Sequence, residues 1–248
     1  MIILSILFFI TAILYSSVGF GGGSTYLALL LIWDIPYFIF PIIALLCNII
    51  VVSGNSFNYI RAGNHNFKLI LPFLIGSVPL AFFGGTLKIE KDIFEILLFF
   101  VLSIAGILLL INNKSYENNN FIIKKLHFLI SLVIGSVLGL ISGIVGIGGG
   151  IFLSPILFLL KAEKPKIIVT TASLFILVNS ISGVFGQLTK ENIITEISNY
   201  IPLFICVFLG GLLGNYLNLK IFTSRVLVLI TALLVIFVSI RMGIRIFL

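Results

Sequence analysis

Four glycines within five residues occur twice in this chain, and the chemistry such a cluster offers is anion binding. Gly19-Phe20-Gly21-Gly22-Gly23 returns 127 residues later as Gly146-Ile147-Gly148-Gly149-Gly150. Glycine costs a helix interior about 1 kcal/mol relative to alanine, so each cluster is expected to interrupt a helix. A helix that restarts after the break presents its first four N–H groups without an internal partner. Together they act as roughly half a positive charge. Glycine also lets a ligand approach the backbone closely, so the site attracts an anion without lysine or arginine. The expected backbone donors are Gly21, Gly22 and Gly23 with Gly148, Gly149 and Gly150. Ser24 and Thr25 would add hydroxyls to the first site, with Ser16 and Ser17 just before it. Ser142 and Ser154 flank the second, where Pro155 would bend the restarted helix. The competing reading is that the glycines only permit close helix packing. Two clusters, each followed by a short apolar segment of matched length, favour the site.

Polar residues on the following helices fit the same picture. Asn48, Asn55 and Asn58 share one helical face, as do Thr171, Asn179 and Ser182 in the second half of the chain. Asn48, Thr171 and Asn179 are the expected side-chain contacts of the ligand. Amides in a hydrocarbon layer are costly unless bonded or hydrated. These residues either line a polar path or bond between helices at about 0.6 kcal/mol each.

Residues of this kind need a membrane around them. The chain has 248 residues, of which 60% are hydrophobic and 9% charged, with a mean hydropathy of +1.30. Soluble domains carry about 25% charged residues. The expected class is therefore an all-α polytopic membrane protein. Its expected layout is about eight transmembrane helices in two homologous halves, each with a glycine-rich broken or re-entrant helix. The first repeat covers residues 1–111, a polar linker 112–125, and the second repeat 126–248. Val51/Val178 and Ser53/Ser180 also match at the 127-residue offset. Residues 1–18 read as a retained first helix, since no basic residues precede them as a signal peptide would require.

Segment length and charge disagree on topology. The apolar segments after the glycines rise only about 15 to 18 Å, half of a bilayer core. That favours four crossings per half and parallel halves, which is the reading adopted. It divides the 15 Lys and Arg 8 to 7 between the two sides. Five crossings per half would invert the halves and divide the same 15 residues 10 to 5, which respects the positive-inside rule and puts both termini outside.

Other chemistries are not supported. The net charge of +7 is spread over short connections, so no nucleic-acid surface is expected. Cys47 and Cys206 lie in apolar runs, and His65 and His127 at helix ends, so no disulfide, metal or cofactor is expected. Asp34 flanks a break and Glu95 lies near a helix start beside Lys91, so no acidic relay falls mid-membrane and proton coupling would travel with the substrate or use Asp34. Gly19-x-Gly21-x-Gly23 has the wrong spacing for a dinucleotide site. An enzyme is not expected.

Ser16-Ser17-Val18-Gly19-Phe20-Gly21-Gly22-Gly23-Ser24 resembles a motif of the TauE/SafE (sulfite exporter-like) permease family. So do Gly143-Ile144-Val145-Gly146-Ile147-Gly148-Gly149-Gly150 and Ser154-Pro155-Ile156-Leu157. Thr171-Ala172-Ser173-Leu174 and Gly210-Gly211-x-x-Gly214 extend the resemblance over essentially the whole chain. It implies a secondary transporter of sulfite, sulfonates or related organosulfur anions in the bacterial inner membrane. The expectation is alternating access, with the two breaks facing each other across a central cavity. An anion channel and a membrane scaffold are the alternatives. The expected partners are the anion and the lipid bilayer, and a homo-oligomer stays open.

Overall fold

A computed structural model describes residues 1–33, 35–111, 126–190 and 193–218. It also describes residues 229, 232–233, 236–237, 239–240 and 243–244. Asp34, the linker 112–125 and most of the expected second repeat beyond 218 lie outside the described residues.

Among the described residues every regular element is helical. The order is α1 (Ile2–Val18), α2 (Gly23–Ile32), a single 3-10 turn (Tyr37–Ile39), α3 (Phe40–Arg61), α4 (Phe67–Thr86) and α5 (Lys91–Ile111). Then come α6 (Phe128–Val145), α7 (Gly150–Leu159), α8 (Pro165–Gln187), the short α9 (Ile193–Ile197) with a second 3-10 turn, and α10 (Ile201–Asn218). Five of the described helical spans are long and apolar enough to cross a membrane, while Ile2–Ser17, Gly23–Ile32 and Gly150–Leu159 are shorter apolar helices. That count covers the described residues only and does not confirm the expected eight-helix, two-repeat arrangement. The spanning helices turn large apolar side chains outward, with Phe57, Val133 and Phe208 more than half exposed. Lipid covers such faces in a multi-pass membrane protein.

Small residues set the helix pairs. On α6, Gly135, Gly139 and Gly143 lie against Phe73, Ser77 and Ala81 of α4. Both series advance by four residues, so α4 and α6 run parallel at backbone contact, as small-xxx-small interfaces do. Gly210 and Gly214 of α10 ride on Phe9 and Ile13 of α1 in the same way. α8 runs parallel to α4, since Ser182 Oγ donates to Val78 O at 2.6 Å and Gly186 abuts Phe82. α10 runs parallel to α3, with Gly211 beside Val51 and Gly54 beside Asn215.

At the centre, α3 and α8 run in opposite directions. Ser56 Oγ meets Ser173 Oγ at 3.1 Å near the end of α3 and the start of α8. Leu45 meets Gly183 near the start of α3 and the end of α8. The helices therefore fall into two sets, α1, α3 and α10 in one direction and α4, α6 and α8 in the other.

Candidate functional site

The glycine segments stop and restart helices by two related devices. At the end of α1, Gly19 adopts φ 87°, its N–H bonds Ser16 O and the Phe20 N–H reaches Tyr15 O. That is the paired closure of a Schellman motif. At the end of α6, Gly146 adopts φ 90° and closes a single bond to Ser142 O at 2.8 Å. Both exits use left-handed backbone that side chains other than glycine rarely adopt. The restarts match as well. Gly22 and Gly149, at φ 86° and 73°, are the N-caps of α2 and α7, and no side chain caps either helix. Their first N–H groups are thus left for a ligand or water to satisfy.

The chain folds back at each segment. Gly19 lies beside Tyr59, at the end of α3, whereas Gly21 and Gly23 lie beside Asn48, near its middle. Gly146 lies beside Pro41, at the start of α3, whereas Gly150 lies beside Ala172 and Ile176 of α8. α2 and α7 therefore start part-way through the helical layer and return toward the face their preceding helix came from.

Asn48 stands between the two restarts. A Cβ built on Gly23 would come within 2.8 Å of its Nδ2 and 3.0 Å of Ile147 O, and one on Gly148 within 2.9 Å of the same Nδ2. Gly21 abuts its Oδ1. The two breaks thus approach each other directly around Asn48. Glycine allows that approach, since a Cβ at Gly21, Gly23 or Gly148 would lie within 3 Å of the amide.

That amide is half-satisfied. Asn48 is fully buried, and its Nδ2 donates to Gly146 O at 3.3 Å. Its Oδ1 is buried with no hydrogen-bond partner. The contact with a carbonyl assigns which end is nitrogen, since the flipped amide would set two oxygens against each other. Asn55, two turns along the same face of α3, is fully buried with neither amide atom bonded. Ser180 Oγ, 3.1 Å from the Gly148 Cβ position, and Ser142 Oγ are also buried and unbonded. A buried polar group without a partner costs about 1–3 kcal/mol. Asn48 Oδ1 and Ser180 Oγ, on side chains that both abut Gly148, mark a place where a ligand or ordered water belongs.

The remaining expected residues are placed differently. Tyr15 Oη bonds Thr25 Oγ1 at 2.6 Å and Ser24 Oγ at 3.3 Å, tying both hydroxyls back to α1. Gly22 packs against the rings of Tyr15 and Tyr26, and Gly149 against Phe175. Thr171 Oγ1 donates to Ile167 O at 2.8 Å, and Asn179 Nδ2 to Phe175 O at 2.8 Å, both within α8. The Asn179 Oδ1 is buried and unbonded. Asn58 and Ser182 bond between helices, Asn58 Nδ2 to Asn215 Oδ1 at 3.2 Å and Ser182 Oγ to Val78 O. Tyr15 and Ser180 were not expected at the breaks. The 127-residue match of Ser53 with Ser180 hinted at Ser180, while nothing local signals Tyr15.

The family of membrane proteins described as Sulfite exporter TauE/SafE matches residues 4–242 of the chain. The chain belongs to this family. It is 25% identical over 235 residues to the "Probable membrane transporter protein y4hK" of Sinorhizobium fredii, covering 93% of each chain. It is 28% identical over 249 residues to "Probable membrane transporter protein MJ0441" of Methanocaldococcus jannaschii, covering 94% of this chain and 91% of that one. The "Probable membrane transporter protein YunE" of Bacillus subtilis is 22% identical over 262 residues, with 94% of each covered. No solved structure matches the chain. Membership of a permease family accords with the apolar spans and implies a bilayer and a small-molecule substrate.

Proposed function

We propose that this chain is a secondary transporter that moves a small sulfur-containing anion, such as sulfite or a sulfonate, across the bacterial inner membrane by alternating access. The observation that carries the reading is Asn48, a buried amide held against both glycine breaks with its Oδ1 unbonded. Two uncapped helix N-termini supply donors for the anion's oxygens. Asn48 Oδ1 is an acceptor, so it is met by an anion with a proton of its own or, for a sulfonate, by an ordered water. Hydrogen sulfite, with one O–H beside its charged oxygens, meets both demands. The proton then travels with the substrate. In this site Gly21, Gly22, Gly23, Gly148, Gly149 and Gly150 provide the backbone, with Ser24, Thr25, Thr171 and Asn179 shaping the surrounding shell.

The halves 1–111 and 126–248 are read as inverted repeats. The antiparallel α3 and α8 at the centre support this, as does reciprocal packing of α1 on α10 and α4 on α6. So do the exchanged contacts, Gly19 with Val169 at the start of α8 and Gly146 with Pro41 at the start of α3. Asn66 Nδ2 donates to Glu163 Oε2 at 3.0 Å, which sets the α3–α4 and α7–α8 connections on one side. Five crossings per half satisfy that bond, whereas four do not. The same arrangement divides the 15 basic residues 10 to 5 and assigns the Asn66 side to the cytoplasm.

The test is saturable, pH-dependent sulfite flux in proteoliposomes, together with thermal unfolding of the purified chain against sulfite, thiosulfate, taurine, phosphate and chloride. A ligand at 100 times its Kd stabilises by about 2.7 kcal/mol if it binds only the folded state. A selective shift with a sulfur oxyanion, abolished in Gly149→Val, is expected. Absence of any anion-dependent shift in a cooperatively unfolding sample overturns the reading.

A further inference from the structure

Next to the exit of the second glycine break, but distinct from the Asn48 contact, a cavity of about 330 Å³ opens at the end of the bundle where α4 and α8 terminate. Two cations from connections far apart in sequence line it, Lys88 after α4 and Lys190 after α8. Pro41, Phe94, Ile144 and Ile193 form an apolar wall. Among the described residues that line the cavity there is no carboxylate. Lys91, close by in sequence, sits 3.9 Å from Glu95, whereas the cavity's described lining offers Lys88 and Lys190 no carboxylate.

Lys190 is held in place. Its Nζ donates to Gln187 Oε1 at 2.9 Å, and the fully buried Gln187 donates through Nε2 to Gly143 O at 2.9 Å. That chain ends on α6, three residues before Gly146, and Ile144 of the same turn lines the cavity. Burial first, and the neighbouring Lys88 second, pull the Lys190 ammonium down from 10.5 to about 8. Two like charges brought together around a cavity lower each other's stability, and an anion between them removes that cost.

We propose that the Lys88–Lys190 cavity is a second anion-binding site, which takes a small organic anion with its sulfonate or carboxylate head between the two ammonium groups and a short apolar body against Phe94 and Ile144. The pairing of a cationic wall with an apolar one selects such a ligand over a bare inorganic oxyanion, which leaves the apolar wall uncovered. A lipid headgroup shares part of this chemistry, and the experiment separates the two sources. The use of the site as an antechamber to the second glycine break rests on the transport reading, whereas binding there does not.

Equilibrium binding of labelled propane-1-sulfonate to the purified full-length chain tests the proposal, with inorganic sulfate and phosphatidylglycerol as competitors. The Lys88→Gln/Lys190→Gln double variant is expected to weaken propane-1-sulfonate binding at least tenfold. Lys190→Arg retains binding within about threefold, which controls for misfolding, and Lys68→Gln at the opposite end has no effect. Gly149→Val keeps this binding even where it abolishes sulfite transport, so failure at the breaks is distinguishable from failure here. Unchanged binding in the double variant overturns the site. Equal affinity for sulfate overturns the ligand class, and displacement by phosphatidylglycerol at low micromolar concentration overturns the soluble-anion source.

Discussion

The two glycine breaks share a backbone and differ in what they face. At the first, Gly21 and Gly23 meet the amide of Asn48. At the second, the residue at the same 127-residue offset is Phe175, whose ring packs on Gly149. Asn48 then reaches across to Gly148 and Gly146 O as well, so one amide serves both breaks. The two breaks thus share a backbone pattern, while Asn48 has no polar counterpart at the matching position. Binding energy at such a point depends on which group lacks a partner, more than on how many donors are present.

Four substitutions break or sharpen that comparison. Gly149→Val has the largest expected effect, since a β-branched residue at φ 73° is strained and its side chain meets Phe175. Sulfite flux in proteoliposomes should fall by roughly 100-fold or more, equivalent to about 2.7 kcal/mol. Next comes Asn48→Leu, which removes the shared amide. Flux should drop about tenfold to 100-fold, while thermal unfolding stays within about 1 kcal/mol, because the variant loses one bond and one unbonded acceptor together. Normal flux in this variant would make Asn48 purely structural.

Phe175→Leu probes the other side of the asymmetry. It trims apolar packing on Gly149, so stability should fall by about 1–3 kcal/mol with flux changed only a few-fold. A loss as large as that of Asn48→Leu would mean that both breaks contribute through their facing side chains. The smallest effect is expected from Tyr15→Phe, which frees the Ser24 and Thr25 hydroxyls. It should cost about 1 kcal/mol in thermal unfolding, with a change in KM for sulfite and little change in kcat.

The backbone of the candidate site is legible in the linear chain because a helix break is a local event. Glycine at 19, 22, 146, 148 and 149 takes up left-handed backbone that the residue type permits at no steric cost. The family resemblance has the same origin, since its motifs are contiguous. The directions of the helices are less legible. Segment length argues for four crossings per half, but a break need not sit mid-membrane when α1 runs to the level of Tyr59 and α2 begins near Asn48. Charge, the weaker-looking signal, agrees with the Asn66–Glu163 bond. Thr171 and Asn179 share a face as expected, yet both donate within α8, a choice between local and long-range partners that periodicity does not encode.

By itself the sequence determined that this chain lives in a bilayer, that two helices break at duplicated glycines, and that it belongs with membrane permeases. Hydropathy and backbone freedom are properties of neighbouring residues, so a linear reading reaches them. Only the tertiary structure decided that α3 and α8 oppose each other, that Asn48 bridges breaks 98 residues from its Gly146 partner, and that Lys88 and Lys190 share a cavity. Those pairings are settled by which surfaces pack closely enough to exclude lipid, and no spacing along the chain records that competition.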